Sequence, residues 1–194
     1  IMTKWLSHRM VERGIIKEEE QELYQFGICN GMILLLNVVT ALVIGLLTEQ
    51  LAVVAVFTLS FMVLRSYTGG YHSDSRIFCY LGSNLVLLVP VYTQAVFYKT
   101  SLAWLLAVLL VSAGIIFLLS PMHSKNRKLD KEEQKHFGRK ARLIAALELA
   151  VLGILWHAGQ IPYAYAVYTG ICITALFMLV GKAQLWIQSH TENG

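Results

Sequence analysis

Six runs of apolar residues separated by polar breaks leave this chain few ways to fold. They extend from Ile28 to Leu47, Leu51 to about Tyr67, Cys79 to Tyr98, Ser101 to Ser120, Leu143 to about His157 and Tyr163 to Val180. Four of them reach roughly 18–20 residues, enough at 1.5 Å per residue to cross a hydrocarbon core of about 30 Å. The second and fifth are shorter. With 56% of its 194 residues hydrophobic and only 14% charged, the chain is too apolar for an ordinary water-soluble domain. The sequence predicts an all-α integral membrane protein of six transmembrane helices in a single membrane domain. Residues 1–27 form an amino-terminal interfacial segment, 28–182 the transmembrane region and 183–194 a tail. No internal repeat or low-complexity tract marks a second domain.

The basic residues set an expected orientation. With the amino terminus inside, the amino-terminal segment, Arg65 to Arg76, Lys125 to Arg142 and Lys182 all face the cytoplasm, and of sixteen lysines and arginines only Lys99 lies outside, as the positive-inside rule requires. Both termini are then cytoplasmic. The net charge of +4 follows from this bias and from attraction to anionic lipid, so nucleic acid is not an expected partner. The first 25 residues carry Lys4, Arg9, Arg13, Lys17 and five glutamates without an apolar core, which predicts no cleavable signal peptide. Gly14 divides this segment into two short helices, the second opening on Lys17-Glu18-Glu19-Glu20, with acids at the electropositive helix end. Pro121 ends the fourth span, and Ser124 to Arg142 reads as a basic loop.

The chemistry concentrates between spans two and three. His72 follows the turn signal Gly69-Gly70 outside any apolar run, and Cys79 opens the third span. A thiol attacks only as thiolate, and a nearby imidazole can take its proton. Seven residues on one continuous helix span roughly 10.5 Å of rise, too far for a hydrogen bond of about 3 Å. The segment must bend if the two cooperate, and Ser73, Asp74 and Ser75 are residues that cap helices and make turns. Cys29 and Cys172 have no neighbouring histidine and read as packing residues, and the three cysteines give no disulfide framework. His123 and His136 share a side with His72 and Cys79, but their spacing does not support a zinc site, and no metal or cofactor is expected. Glu148, about a turn and a half inside span five, should face a cavity or a partner, Arg65 being one candidate. Asn37, Asn84 and Gln94 read as residues that bond helices together.

The segment Arg65-x4-Gly70-x-His72-x6-Cys79, set in a six-span chain with a basic region between spans four and five, resembles the accessory gene regulator B (AgrB) family of bacterial quorum sensing. The resemblance covers nearly the whole chain in layout, and its specific part is about fifteen residues. It implies a cysteine endopeptidase of the bacterial cell membrane, its active site on the cytoplasmic side. Such an enzyme removes the carboxy-terminal tail of a small precursor peptide and promotes closure of a thiolactone or lactone ring. By that resemblance Cys79 is the nucleophile, His72 the general base, and Arg65 and Gly70 supporting positions, with Asp74 and Ser75 as orienting groups. The implied partners are an AgrD-like precursor with an amphipathic amino-terminal region and an acidic tail, membrane lipids, and a second copy of the chain. Lys125, Arg127, Lys128 and Lys131, together with Glu148, are the expected substrate-binding positions. A small transporter using Glu148, Asn37, Asn84 and Gln94 as a polar pathway, or a noncatalytic membrane adaptor, is the alternative.

Overall fold

The computed structural model describes residues 2–69, 76–122 and 131–191, with side chains except at 2–3, 30, 76–79, 131, 133 and 188–191. Every described element is helical: α1 (Met2–Glu12), a 3-10 turn (Glu18–Glu20), α2 (Gln21–Leu47), α3 (Leu51–Thr68), α4 (Arg76–Lys99), α5 (Leu102–Leu119), α6 (Lys131–His157) and α7 (Ile161–Thr191). The chain forms two compact units, residues 1–40 and 41–194.

In the first unit α1 stops where the sequence expects. Gly14 takes a φ of 66°, its amide bonds to Val11 O at 2.9 Å and that of Ile15 to Met10 O at 2.9 Å, which is a Schellman cap. The amide of Lys17 then donates to the Glu20 carboxylate at 3.3 Å, fixing the start of the next helical segment. That segment does not end before the first span. It continues as α2 from Gln21 to Leu47, through Gly27 and Gly31 and with no proline to interrupt the ladder. Leu34, Leu35 and Leu36 belong to its apolar run, of a composition suited to a membrane span.

Among the described residues, five segments are long and apolar enough to span a membrane: Glu18–Leu47, Leu51–Thr68, Tyr80–Lys99, Leu102–Leu119 and Ile161–Ile187. α6 is not among them, since every eighteen-residue window along it takes in Lys140, Arg142 and Glu148. Its charged first half was expected as loop. From Lys131 onward it is helix, built from strong helix formers with Glu132 and Glu133 in the electropositive first turn. At the other end α7 runs on to Thr191, so most of the expected tail is helical too.

α7 is the centre of the second unit. It packs against α3, α4, α5 and α6, and its Ala164, Tyr165, Ala166, Ile171, Ala175 and Met178 are buried among Phe57, Leu64, Ile116 and Ala145. Lipid tails are as apolar as these side chains, so close packing and hydrogen bonds hold such helices together. Both are present. The Tyr165 hydroxyl donates to Pro90 O at 2.9 Å and lies 2.6 Å from Thr93 Oγ1, tying α7 to α4. A Cβ on Gly170 would come 2.5 Å from Ser60 Oγ, so the missing side chain lets α7 and α3 approach. Many helical hydroxyls are satisfied locally, Thr40, Thr48, Thr58, Ser66, Thr93, Thr100, Thr169 and Thr174 each donating to the carbonyl four residues back.

Gly170→Val is therefore expected to lower the stability of the detergent-solubilised protein by about 1–3 kcal/mol through overpacking. Gly153→Ala, which meets nothing within 4 Å, should leave the thermal midpoint unchanged or raise it.

Candidate active site

The residues around the expected site are organised by one junction. At the end of α3 the carbonyl of Thr68 accepts a hydrogen bond from the amide of Met122 at 2.9 Å, joining the chain just before residue 70 to the chain just before residue 123. Gly69 follows with φ 72° and ψ −153°, a backbone conformation open in practice to glycine alone. A Cβ there would also stand 2.6 Å from Met122 O. Arg65 reinforces the turn from one helical turn earlier, its Nη1 donating to Gly69 O and its guanidinium lying 5.5 Å from the centre of the Phe177 ring. Thr68 and Leu64 beneath it are fully buried.

α6 closes on the same junction. A Cβ on Gly138 would come 2.9 Å from Pro121 Cδ, so this glycine admits the linker against the helix. Tyr67 lies beside Phe137, ring centroids 6.4 Å apart, and Lys140 Nζ stands 5.9 Å from the Tyr67 ring. Arg142 Nε donates to Phe117 O at 3.1 Å, holding the exposed carbonyl end of α5. Below this, Glu148 accepts a hydrogen bond from Ser60 Oγ at 2.7 Å. The carboxylate thus has its partner on α3, as its position demands, and the partner is the Ser60 hydroxyl.

The expected site residues fall differently within this frame. Arg65 contacts Gly69 O and Phe177, and Glu148 contacts Ser60. Cys79 is in the first turn of α4, which begins at Arg76. Gly70, His72, Asp74 and Ser75 lie outside the described residues, as do Lys125, Arg127 and Lys128, and Lys131 opens α6. Cys29 and Cys172 are partly buried on α2 and α7, and neither is in a disulfide among the described residues. The carboxamide oxygen of Asn84 is buried without a hydrogen-bond partner among the described residues. No group of three or more histidines, cysteines or carboxylates gathers among those residues in a way that could hold a metal. Sequence reasoning missed Ser60, Tyr67, Phe137, Gly138 and Met122. Gly138, inside the charged half of α6, was the available signal.

The profile of the accessory gene regulator B family matches residues 2–179. The chain belongs to that family. It is similar to an AgrB-like protein of Clostridium perfringens strain SM101, 23% identical over 148 residues that cover 73% of this chain and 69% of the relative. A second AgrB-like protein, from strain 13 of the same species, is 24% identical over the same length and shares. The accessory gene regulator protein B of Staphylococcus intermedius is 26% identical over 121 residues, 62% of each chain. No solved structure matches. Membership ties the chain to the quorum-sensing system in which a precursor peptide is processed, and its apolar helices fit a membrane-embedded member.

Two substitutions test the frame. Ser60→Ala leaves the half-buried Glu148 carboxylate without its donor and should cost about 1–3 kcal/mol, with much of the loss recovered by Glu148→Leu in the same chain. Gly69→Ala should destabilise by a similar ~1–3 kcal/mol, whereas Gly82→Ala, with nothing within 4 Å, should not. Thermal unfolding in detergent checks both.

Proposed function

We propose that this chain is a membrane cysteine endopeptidase that removes the carboxy-terminal tail of an AgrD-like precursor and promotes closure of a thiolactone or lactone ring. Family membership carries the reading, and the segment Arg65-x4-Gly70-x-His72-x6-Cys79 supplies residues suited to the chemistry. In this reading the whole chain is one membrane domain with both termini in the cytoplasm. The apolar half of α6, Leu143 to His157, serves as the sixth span, with Lys140 and Arg142 at its cytoplasmic end.

His72 takes the proton of the Cys79 thiol, and the thiolate attacks a peptide carbonyl near the end of the precursor. The C–N bond breaks, the imidazolium returns its proton to the departing amine, and the peptide stays on Cys79 as a thioester. An internal cysteine or serine of the peptide then gives its proton to His72, attacks that carbonyl, expels the Cys79 thiolate and closes the ring. Water must be kept from the thioester, since hydrolysis gives a linear product. A site sheltered between spans suits that need. Two features support the assignment of positions: Cys79 occupies the helix turn whose amides lack partners within the helix, and Arg65 braces the glycine turn from which the His72 segment departs. Asp74 and Ser75 orient the imidazole. Glu148, held by Ser60, is a substrate-side acceptor at the inner end of the site.

Cys79→Ala and His72→Ala should each abolish cleavage of the precursor in a membrane assay while leaving insertion intact, and Cys29→Ala and Cys172→Ala should retain most activity. Chelation should change nothing. Full processing by Cys79→Ala would refute the peptidase reading and leave the adaptor or transporter.

The basic stretch after Met122 recruits the acidic tail in this reading. Neutralising Lys125, Arg127, Lys128 and Lys131 together should weaken precursor binding most at low salt, where the Debye length reaches about 30 Å. At saturating precursor the cleavage rate should recover towards the parent's. Equal affinity across a salt series would reduce this stretch to a topology signal.

A further inference from the structure

A second basic feature borders the Thr68–Met122 junction on its α5–α6 side. Lys135, Arg139 and Arg142 of α6 line a cleft of about 610 Å³ against Leu118, Ser120 and Pro121 at the end of α5. The described ion pairs, His8–Glu12 and Arg9–Glu12, give none of the three a carboxylate partner. Arg142 commits Nε to Phe117 O, which fixes its guanidinium at the rim. Ser120, only 5% exposed, also lines the cleft, and its Oγ has no hydrogen-bond partner among the described residues. A buried hydroxyl without a partner among the described residues, beside three cations that have no carboxylate partner among them, indicates a site for an anionic oxygen ligand.

The surroundings specify which kind. Residues four apart on a helix lie one above another, and the ridge Lys135, Arg139, Leu143, Leu147, Val151 is exposed along its whole length. It changes from cationic to apolar between Arg139 and Leu143. On the facing helix Leu118 is 81% exposed, and it sits at the end of the apolar span Leu102–Leu119. The cleft therefore lies at the depth where hydrocarbon gives way to the polar layer, with cations on one side of that level and bare leucines on the other. An acidic peptide would complement the charge but leave the leucines unanswered.

We propose that this cleft seats the phosphate headgroup of an anionic phospholipid, held by Lys135, Arg139, Arg142 and the Ser120 hydroxyl, with its acyl chains along Leu118, Leu143 and Leu147. The proposal is independent of the peptidase reading, because it concerns a lipid and not a reaction. The full chain, purified in a zwitterionic detergent, is titrated with phosphatidylglycerol or phosphatidylcholine and the retained lipid is counted by native mass spectrometry. Phosphatidylglycerol should be retained at one tight site and phosphatidylcholine should not. The combined Lys135→Gln, Arg139→Gln, Arg142→Gln variant should bind roughly 100-fold more weakly, taking about a kilocalorie per mole for each cation, whereas Lys99→Gln and Lys182→Gln should match the parent. Photoactivatable phosphatidylglycerol on the parent chain should label peptides from 118–121 and 134–147, a readout that does not depend on how the variant folds. Equal retention of the two lipids, labelling elsewhere, or a glutamate-rich peptide occupying the cleft where phosphatidylglycerol does not would each overturn the proposal.

Discussion

Helices in hydrocarbon gain nothing by hiding apolar surface from one another, and this constraint governs the second unit. What remains to hold it is close approach and a few interhelical hydrogen bonds. Both converge on α7. Gly170 brings it against Ser60, Ser60 reaches Glu148 on α6, and Tyr165 reaches Pro90 on α4. The fully buried alanines Ala141, Ala145 and Ala166 play the same part by being small. The aromatic cluster at the opposite end follows the same logic, with Phe97 against Tyr165 at 4.9 Å, Tyr168 at 5.3 Å and Trp156 at 6.3 Å between ring centroids. Such rings fill space densely and belong near a membrane boundary.

The junction at Thr68 and Met122 gives this packing its bearing on function. The segment with His72 and the basic segment after Met122 are far apart in sequence, yet both depart from one hydrogen bond. Its supports are two backbone features and one side chain: a glycine in a conformation other residues avoid, a second glycine beneath Pro121, and the Arg65 guanidinium that bonds a carbonyl. In the proposed reading, side-chain chemistry at the candidate site rests on geometry set by the ends of α3 and α5.

Much of the fold was legible because membrane helices advertise themselves. The break at Gly14, the stop before Pro121 and the apolar runs themselves are patterns of one residue type, readable without knowing what packs on what. Charge misled where a helix carried it. Lys131 to Arg142 reads as a loop when hydropathy is the only guide, although its helix formers and early acids argue otherwise. The Glu148 partner was beyond sequence reasoning for a different reason: Ser60 is an ordinary small residue in an apolar run, eighty-eight positions away, and only the α3–α6 approach makes it a donor. Arg65 drew attention as a charge opposite Glu148, whereas the described structure employs it on Gly69 and Phe177.

The hydroxyls turned back on their own helices bear on how the molecule comes into being. A threonine that donates to the carbonyl one turn behind it conceals its polarity within its own segment. Such a helix can enter the bilayer alone, before any neighbour arrives. Ser60 and Tyr165 differ, since their hydroxyls are answered by Glu148 and by α4. Insertion and assembly are thereby separated: the back-bonded threonines serve the first stage, and these two residues, idle until their neighbours dock, select the arrangement reached in the second.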